Sequence, residues 1–154
     1  MAAEAISTTE REIVLTRLFD APRERVFEAW TDREQVAKWW GPNGFTTTIR
    51  EMDVRPGGVW RFVMHGPDGV DYDNRTTYRE VIPPERLVYK YEDEAEAPGF
   101  EATVTFEDRN GKTLVTMRSL FPSAEARDYV VREIGAIEGG NQTLARLGEF
   151  LASQ

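Results

Sequence analysis

The sequence predicts an α+β fold: a curved antiparallel sheet of six or seven strands wrapped around a long C-terminal helix, with two short helices after the first strand. Three observations lead there. Val130, Ile134, Ile137, Leu144 and Leu151 recur at spacings of three, four or seven, and Leu147 and Phe150 widen that stripe. Glu133, Glu138, Arg146 and Glu149 take polar positions around it. From Phe45 to Phe121 the pattern changes to segments of alternating side chains, cut by Pro, Gly and Asn turns. Before them, Pro22 and Gly41-Pro42 bracket a stretch with helical apolar spacing. If Ser123 to Leu151 is continuous, about 29 residues make a rod of roughly 43 Å. A rod with one apolar side needs a partner surface. The strands supply it, and the space between sheet and helix is the expected functional site.

Met1 to Glu10 is small and polar and reads as a loose tail, leaving a single domain over residues 11–152. Glu12 to Phe19 alternates as a first strand, with Ile13, Leu15 and Arg17 on one side. Pro22 suits the first helical position, where its missing N–H is harmless, and Val26, Phe27 and Trp30 form an apolar side. Thr31 and Glu34 have capping-box spacing for a second helix, which carries Val36, Trp39 and Trp40 and stops at Gly41-Pro42. Strands follow from Phe45, through Trp60-Phe62-Met64, and over Val70 to Val81, where Tyr72, Asn74, Thr76 and Tyr78 share a side. Arg86 to Glu92 puts Leu87, Tyr89 and Tyr91 together; Phe100 to Glu107 does the same for Phe100, Ala102, Val104 and Phe106. Asn110-Gly111 is a type I′ hairpin signal, and Lys112 to Phe121 is the last strand. Ser123 is placed to cap the closing helix. Successive strands joined by turns favour antiparallel pairing.

Composition removes several classes of function. The 154 residues include no cysteine and one histidine, so disulfides, thiolate metal sites, cysteine nucleophiles and multi-histidine metal sites are excluded. No metal or cofactor is expected. The net charge of −8, with no basic run, disfavours nucleic acid and anionic membranes. No signal peptide and no segment near the ~20 apolar residues of a membrane span is visible, so a cytoplasmic location is expected.

Particular motifs carry a family resemblance. Phe19-Asp20-Ala21-Pro22 precedes Val26-Phe27-Glu28-Ala29-Trp30; Lys38-Trp39-Trp40-Gly41-Pro42 follows; then Pro56-Gly57-Gly58 runs into Trp60-Arg61-Phe62. Tyr78-Arg79-Glu80-Val81, Pro83-Pro84-Glu85-Arg86-Leu87, Glu138-Gly139 and Leu144-Ala145-Arg146-Leu147 complete the set. Each is weak alone, but in this order they resemble the START-like, or SRPBCC, domains of the bacterial branch related to the activator of the heat-shock-protein-ninety ATPase. The resemblance covers roughly residues 11–152. It implies a helix-grip fold with a deep, mostly apolar cavity. Members bind lipids, sterols, polyketides and other hydrophobic molecules, and a minority act on them catalytically. Many members carry Trp where this chain has Gly140. Gly140 reads either as a kink without a role, or as a gap that enlarges the cavity or admits a ligand to the backbone. On the second reading, Gly140→Trp reduces dye uptake.

The candidate ligand-binding residues are Trp39, Trp40, Trp60, Phe62, Met64, Tyr72, Asn74, Tyr78, Tyr89, Arg118, Ile137 and Gly140, with Tyr91 a further aromatic on the same strand face as Tyr89. Singly, each aromatic reads as core. Together, hydroxyl-bearing tyrosines among apolar walls read as a binding site. Trp39 or Trp40 could instead sit at a homodimer surface. Asn74, Glu80 and Arg118 are the polar residues nearest that face. Whether Arg118 or Met117 and Ser119 point inward is open, because both parities of the last strand are apolar. His65 beside Asp68 reads as an exposed hairpin residue. Asp71 and Asp73 lack the glycine and glutamate of a calcium loop, and Glu92 to Glu96 reads as a solvated acidic loop.

No catalytic constellation is visible. The expected function is binding of a hydrophobic or amphipathic small molecule, lipid-like or polyketide-like, between sheet and helix. One alternative is a cyclase- or hydrolase-type enzyme using a tyrosine, Glu80 or His65 with a burial-shifted pKa. The other is an interaction protein that regulates a chaperone ATPase.

Overall fold

The computed structural model describes residues 5–6, 10–91 and 99–153. In chain order the elements are β1 (Ala5–Ile6), β2 (Glu12–Phe19), α1 (Arg23–Thr31), α2 (Arg33–Trp39), β3 (Thr46–Met52), β4 (Val59–His65), β5 (Asp71–Ile82) and β6 (Arg86–Tyr91). Then come β7 (Phe100–Arg109), β8 (Lys112–Leu120), α3 (Ala124–Tyr129), a π-helical turn (Val130–Ile134) and α4 (Ala136–Ala152). All strands pair antiparallel in one sheet, ordered β1-β2-β8-β7-β6-β5-β4-β3. Consecutive strands from β3 to β8 are neighbours, as short turns require. β2 and β3 lie toward opposite edges, so α1 and α2, which join them, must span the sheet. This is the expected helix-grip architecture, with seven substantial strands and the two-residue β1. β1 arises within the stretch read as a tail. Residues 1–4 and 7–9 of that stretch lie outside the described residues, as does the Glu92–Glu96 run.

Local chemistry fixes the corners. Asn110 and Gly111 have φ of 57° and 86°, and Arg109 pairs with Lys112, so the hairpin has the two-residue loop its sequence specifies. Gly57 takes φ +85° and donates to Tyr78 O at 2.7 Å, tying the Pro56-Gly57-Gly58 turn to β5. Two caps differ from expectation. Pro22 is the N-cap of α1 rather than its first helical residue. Asp32, not Thr31, caps α2: its Oδ1 accepts from Glu34 N at 3.0 Å, while Thr31 bonds back to Phe27 O within α1. Aspartate at an N-cap outcompetes a threonine whose hydroxyl is engaged in the preceding turn.

The closing helix is not one rod. Ser123 caps α3, with Oγ accepting from Ala126 N at 3.1 Å. The π turn then ends at Gly135, whose φ of +70° is left-handed and whose N–H bonds to Val130 O. The apolar spacing runs across Gly135 without a gap and so conceals this break. The kink read at Gly139-Gly140 is absent, and both lie inside regular α4.

The inner sheet face carries Trp60, Phe62, Tyr78, Leu87, Tyr89, Val104, Phe106 and Val115, all buried. Against it pack Val26, Trp30, Val36 and Trp39 from α1 and α2, and Leu144, Leu147 and Phe150 from α4. Val115 also settles the parity of β8: Met117 and Ser119 follow it inward, and Arg118 points outward.

Candidate functional site

A cavity of about 290 Å3 lies between the sheet and the closing helices. Ile13 and Leu15 of β2, Phe62 and Met64 of β4, Asn74 of β5, Tyr89 and Tyr91 of β6, Phe100 and Ala102 of β7, and Met117 and Ser119 of β8 form its sheet side. Phe121, Val130, Gly135, Ala136, Gly139, Gly140 and Thr143 form the helical side, and Trp40, Gly41 and Pro42 close one flank. Leu15, Phe62, Tyr89 and Ala102 are buried and make the floor; Met64, Asn74, Tyr91 and Phe100 are half-buried toward the opening. Among the described residues no charged side chain borders this space.

Of the residues singled out in the sequence, Trp40, Phe62, Met64, Asn74, Tyr89 and Gly140 line the cavity. Trp39 does not: it is fully buried between helices and donates from Nε1 to Ala29 O at 3.1 Å. Trp60 and Tyr78 share the inner face but lie deeper, their rings stacked with centroids 6.3 Å apart. Tyr72 lies where β5 runs out beyond the hollow, 41% exposed, with its ring 6.0 Å from Phe45. Arg118 faces outward and pairs with Glu12 at 3.2 Å rather than with Glu80, which pairs with Arg86 at 2.8 Å. Ile137 packs on the core without bordering the space. His65 is held between Thr48 Oγ1 and Asp71 Oδ1, both at 2.8 Å, away from the cavity.

Gly140 borders the cavity and also sits against β2. A Cβ there would run into Leu15 Cδ1, so the glycine lets α4 approach β2 closely. The helical pattern puts Arg146 on the polar side of the helix. Instead its Nη1 donates to Gly41 O at 2.9 Å and Pro42 O at 3.0 Å. Gln142 Oε1 accepts from Asn43 N at 3.0 Å. These bonds pin the flanking loop to α4 and pair backbone groups that lie outside the sheet ladders. Pairings about a hundred residues apart leave no local signal. Ile13, Leu15, Met117, Ser119 and Phe121 were missed as lining for another reason: alternation gives a face, but not which face.

The polar groups at the floor and in the core beneath it have few partners. Tyr78 and Tyr89 hydroxyls and the Nε1 atoms of Trp30 and Trp60 are buried without a hydrogen-bond partner. Desolvation pushes the Tyr78, Tyr89 and Tyr91 phenols well above the usual tyrosine range, and the neighbouring Tyr89 pushes Tyr78 and Tyr91 further. The Trp30 side chain opposes the shift of Tyr89. By contrast Thr143 spends its proton on Gly139 O at 2.9 Å, and Asn74 donates to Tyr72 O at 3.1 Å. The arrangement can enclose an apolar body and offer it a few neutral polar contacts.

Comparison with known proteins identifies the family and the fold. The family model described as "Activator of Hsp90 ATPase homolog 1-like protein" matches residues 20–152. A solution structure of an Arthrobacter aurescens protein is 25% identical with a TM-score of 0.92, covering 100% of this chain and 94% of that one. A Mycobacterium smegmatis crystal structure is 27% identical with a TM-score of 0.87, covering 98% of this chain and 97% of that one. A Staphylococcus epidermidis solution structure is 29% identical with a TM-score of 0.82, covering 96% and 93%. No curated protein matches the chain. No helix among the described residues is long and apolar enough to cross a membrane.

Proposed function

The chain belongs to the family of activator of Hsp90 ATPase homolog 1-like proteins, and from that premise we propose that it binds a hydrophobic or amphipathic small molecule, lipid-like or polyketide-like. The observation behind this reading is the cavity itself, lined by apolar side chains of five strands and the closing helices. The hollow, of about 290 Å3 and open on one side, lies at the small end of the roughly 300–1,000 Å3 that ligand sites occupy. That size favours a single chain or a few fused rings over a two-chain lipid. Of the groups named for an acid–base role, Glu80 and His65 are engaged with Arg86 and Asp71 away from the cavity, while Tyr89 borders it with its phenol raised by burial above the usual range.

The test is titration with the neutral fluorescent probe N-phenyl-1-naphthylamine, on the wild type and on Ser119→Phe. Ser119 borders the hollow, and a phenyl ring there occupies it. Saturable binding by the wild type, weakened at least about tenfold by a folded Ser119→Phe, is the expected result. Binding that never saturates, or that ignores the added ring, defeats the reading.

A further inference from the structure

We propose that Thr48, His65 and Asp71 form a second site, on the sheet face opposite the cavity: a relay in which the Thr48 hydroxyl takes an acyl group from a neutral, activated donor, an aryl ester or a thioester. It stands apart from the cavity-binding reading above.

Three strands bring the relay together. Phe62 and Met64 border the cavity, so on β4 Val63 and His65 point the other way. Asp71 stands opposite His65 on β5, Thr46 stands opposite it on β3, and Thr48 shares the face of Thr46. His65 Nδ1 lies 2.8 Å from Asp71 Oδ1, and Nε2 lies 2.8 Å from Thr48 Oγ1. A carboxylate only accepts, so Nδ1 carries the ring proton. The neutral ring then has its lone pair at Nε2, and the Thr48 hydroxyl donates to it. An ordinary cross-strand contact joins two side chains. Here three are joined in the order that activates a hydroxyl, with the nucleophile at Nε2 and the carboxylate at Nδ1. Thr48 is exposed and the His65 side chain is 36% exposed, so a reactant reaches the hydroxyl from solvent, along the sheet edge that β3 forms.

The surroundings select the donor. β4 and β5 each lie between two strands, so their amides are spent in ladders rather than aimed at a developing oxyanion. A leaving group that departs readily makes up for this, which favours esters of phenols and thiols over amides. Asp73 shares the face of Asp71, and the chain carries a net charge of −8, so an anionic donor is repelled. Arg61, the cation on that face of β4, stands opposite Glu51 and Arg75. In the reaction Thr48 Oγ bonds to the acyl carbon while its proton passes to His65 Nε2. The bond from that carbon to the leaving oxygen or sulfur then breaks, and Nε2 returns the proton to the departing atom. Water cleaves the Thr48 ester with His65 again as base. Asp71 is a positioning residue: it fixes the tautomer that leaves Nε2 free to accept.

The test is p-nitrophenyl acetate, added to the full chain, in which no cysteine and no second histidine competes. The expected result is a burst of about one p-nitrophenolate per chain, with the acetyl group found on Thr48 by peptide mass spectrometry. His65→Gln should slow the burst about a hundredfold, the low end of general-base help, and Thr48→Val at least about tenfold. Thr48→Ser keeps the hydroxyl and should keep the burst. The single imidazole also gives a direct readout by nitrogen NMR: with the ring neutral, the proton sits on Nδ1 in the wild type. In Asp71→Asn the amide can donate to Nδ1, so the proton moves to Nε2 and the burst slows, while Asp71→Glu restores part of it. A burst rate unchanged in Thr48→Val or His65→Gln, an acetyl group on another residue, or an Nε2–H tautomer in the wild type each overturns the relay and leaves the cavity reading intact. The last two need no variant, so they decide even where a substitution disturbs the strands.

Discussion

Along β4 the inner side chains pass from Trp60 through Phe62 to Met64, and along β8 from Val115 through Met117 to Ser119; on both strands burial falls from complete to partial. β6 repeats the trend from Leu87 through Tyr89 to Tyr91. One sheet face thus has two ends. At the first, α1 and α2 lay rings on rings: Trp30 meets Trp39 at 4.9 Å, Phe106 at 5.6 Å and Trp40 at 6.0 Å, while Trp40 meets Trp60 at 5.0 Å. At the second, four of the seven residues of the opposing surface, Gly135, Ala136, Gly139 and Gly140, bring almost no volume, beside Phe121, Val130 and Thr143. The sheet presents apolar side chains at both ends. The hollow therefore comes from what the helices fail to bring to the second end, and Trp40 stands on the seam between the two.

The largest consequence is an asymmetry in stability. Trp30→Ala at the packed end is expected to cost about 3–5 kcal/mol, a large part of the roughly 5–15 kcal/mol by which a domain is stable. Met117→Ala at the open end removes a side chain that already lacks neighbours on one side, and should cost about 1 kcal/mol. Denaturant midpoints on the two variants measure this. Similar losses would mean the open end is packed in solution.

A smaller effect appears at high pH. The phenols of Tyr78 and Tyr89 are raised above the ordinary value of 10.0, so the folded chain keeps protons that the unfolded chain releases. Their contribution is intact below pH 10 and declines above it, by about 1.4 kcal/mol per pH unit for each phenol. Tyr78→Phe removes one such group. Its stability should fall less steeply than that of the wild type in the first unit above pH 10. Parallel slopes would place the Tyr78 hydroxyl in contact with water.

The packed end was largely legible in sequence and the open end only in part. Alternation identified Trp60-Phe62-Met64, Leu87-Tyr89-Tyr91 and Phe100-Ala102-Val104-Phe106 as shared faces, because a strand's period of two is local. Apolar patterning also found the helices and their partner surface. It could not choose between Met117-Ser119 and Leu114-Arg118, since Val14, Leu114 and Leu120 give the outer face apolar residues as well. Nor could it separate rings that fill the core, such as Trp39 and Trp60, from rings that border space, such as Trp40. That distinction depends on how far α2 and α4 stand from the sheet. Two local details set this distance, a left-handed Gly135 and the Arg146 bonds to Gly41 and Pro42, and neither interrupts the hydrophobic period.

The finest test of the comparison lies in two adjacent glycines. Gly139 and Gly140 are both helical and both border the cavity, so on propensity alone either Gly→Ala gains about 0.8–1.0 kcal/mol. Their surroundings differ. A Cβ on Gly139 comes to 3.4 Å from Pro42 Cγ, at the edge of ordinary contact, and the gain should survive nearly whole. A Cβ on Gly140 meets Leu15 Cδ1 and drives that side chain from its rotamer, which costs about 0.5–1.5 kcal/mol and cancels the gain. Leu15 itself lines the cavity, so its displaced methyl has only the hollow to enter. Gly139→Ala should therefore raise the denaturation midpoint and leave N-phenyl-1-naphthylamine affinity unchanged. Gly140→Ala should leave the midpoint near wild type and weaken the probe. If both variants stabilise equally and bind equally, Leu15 has somewhere else to go, and the contact between α4 and β2 does not set the size of the open end.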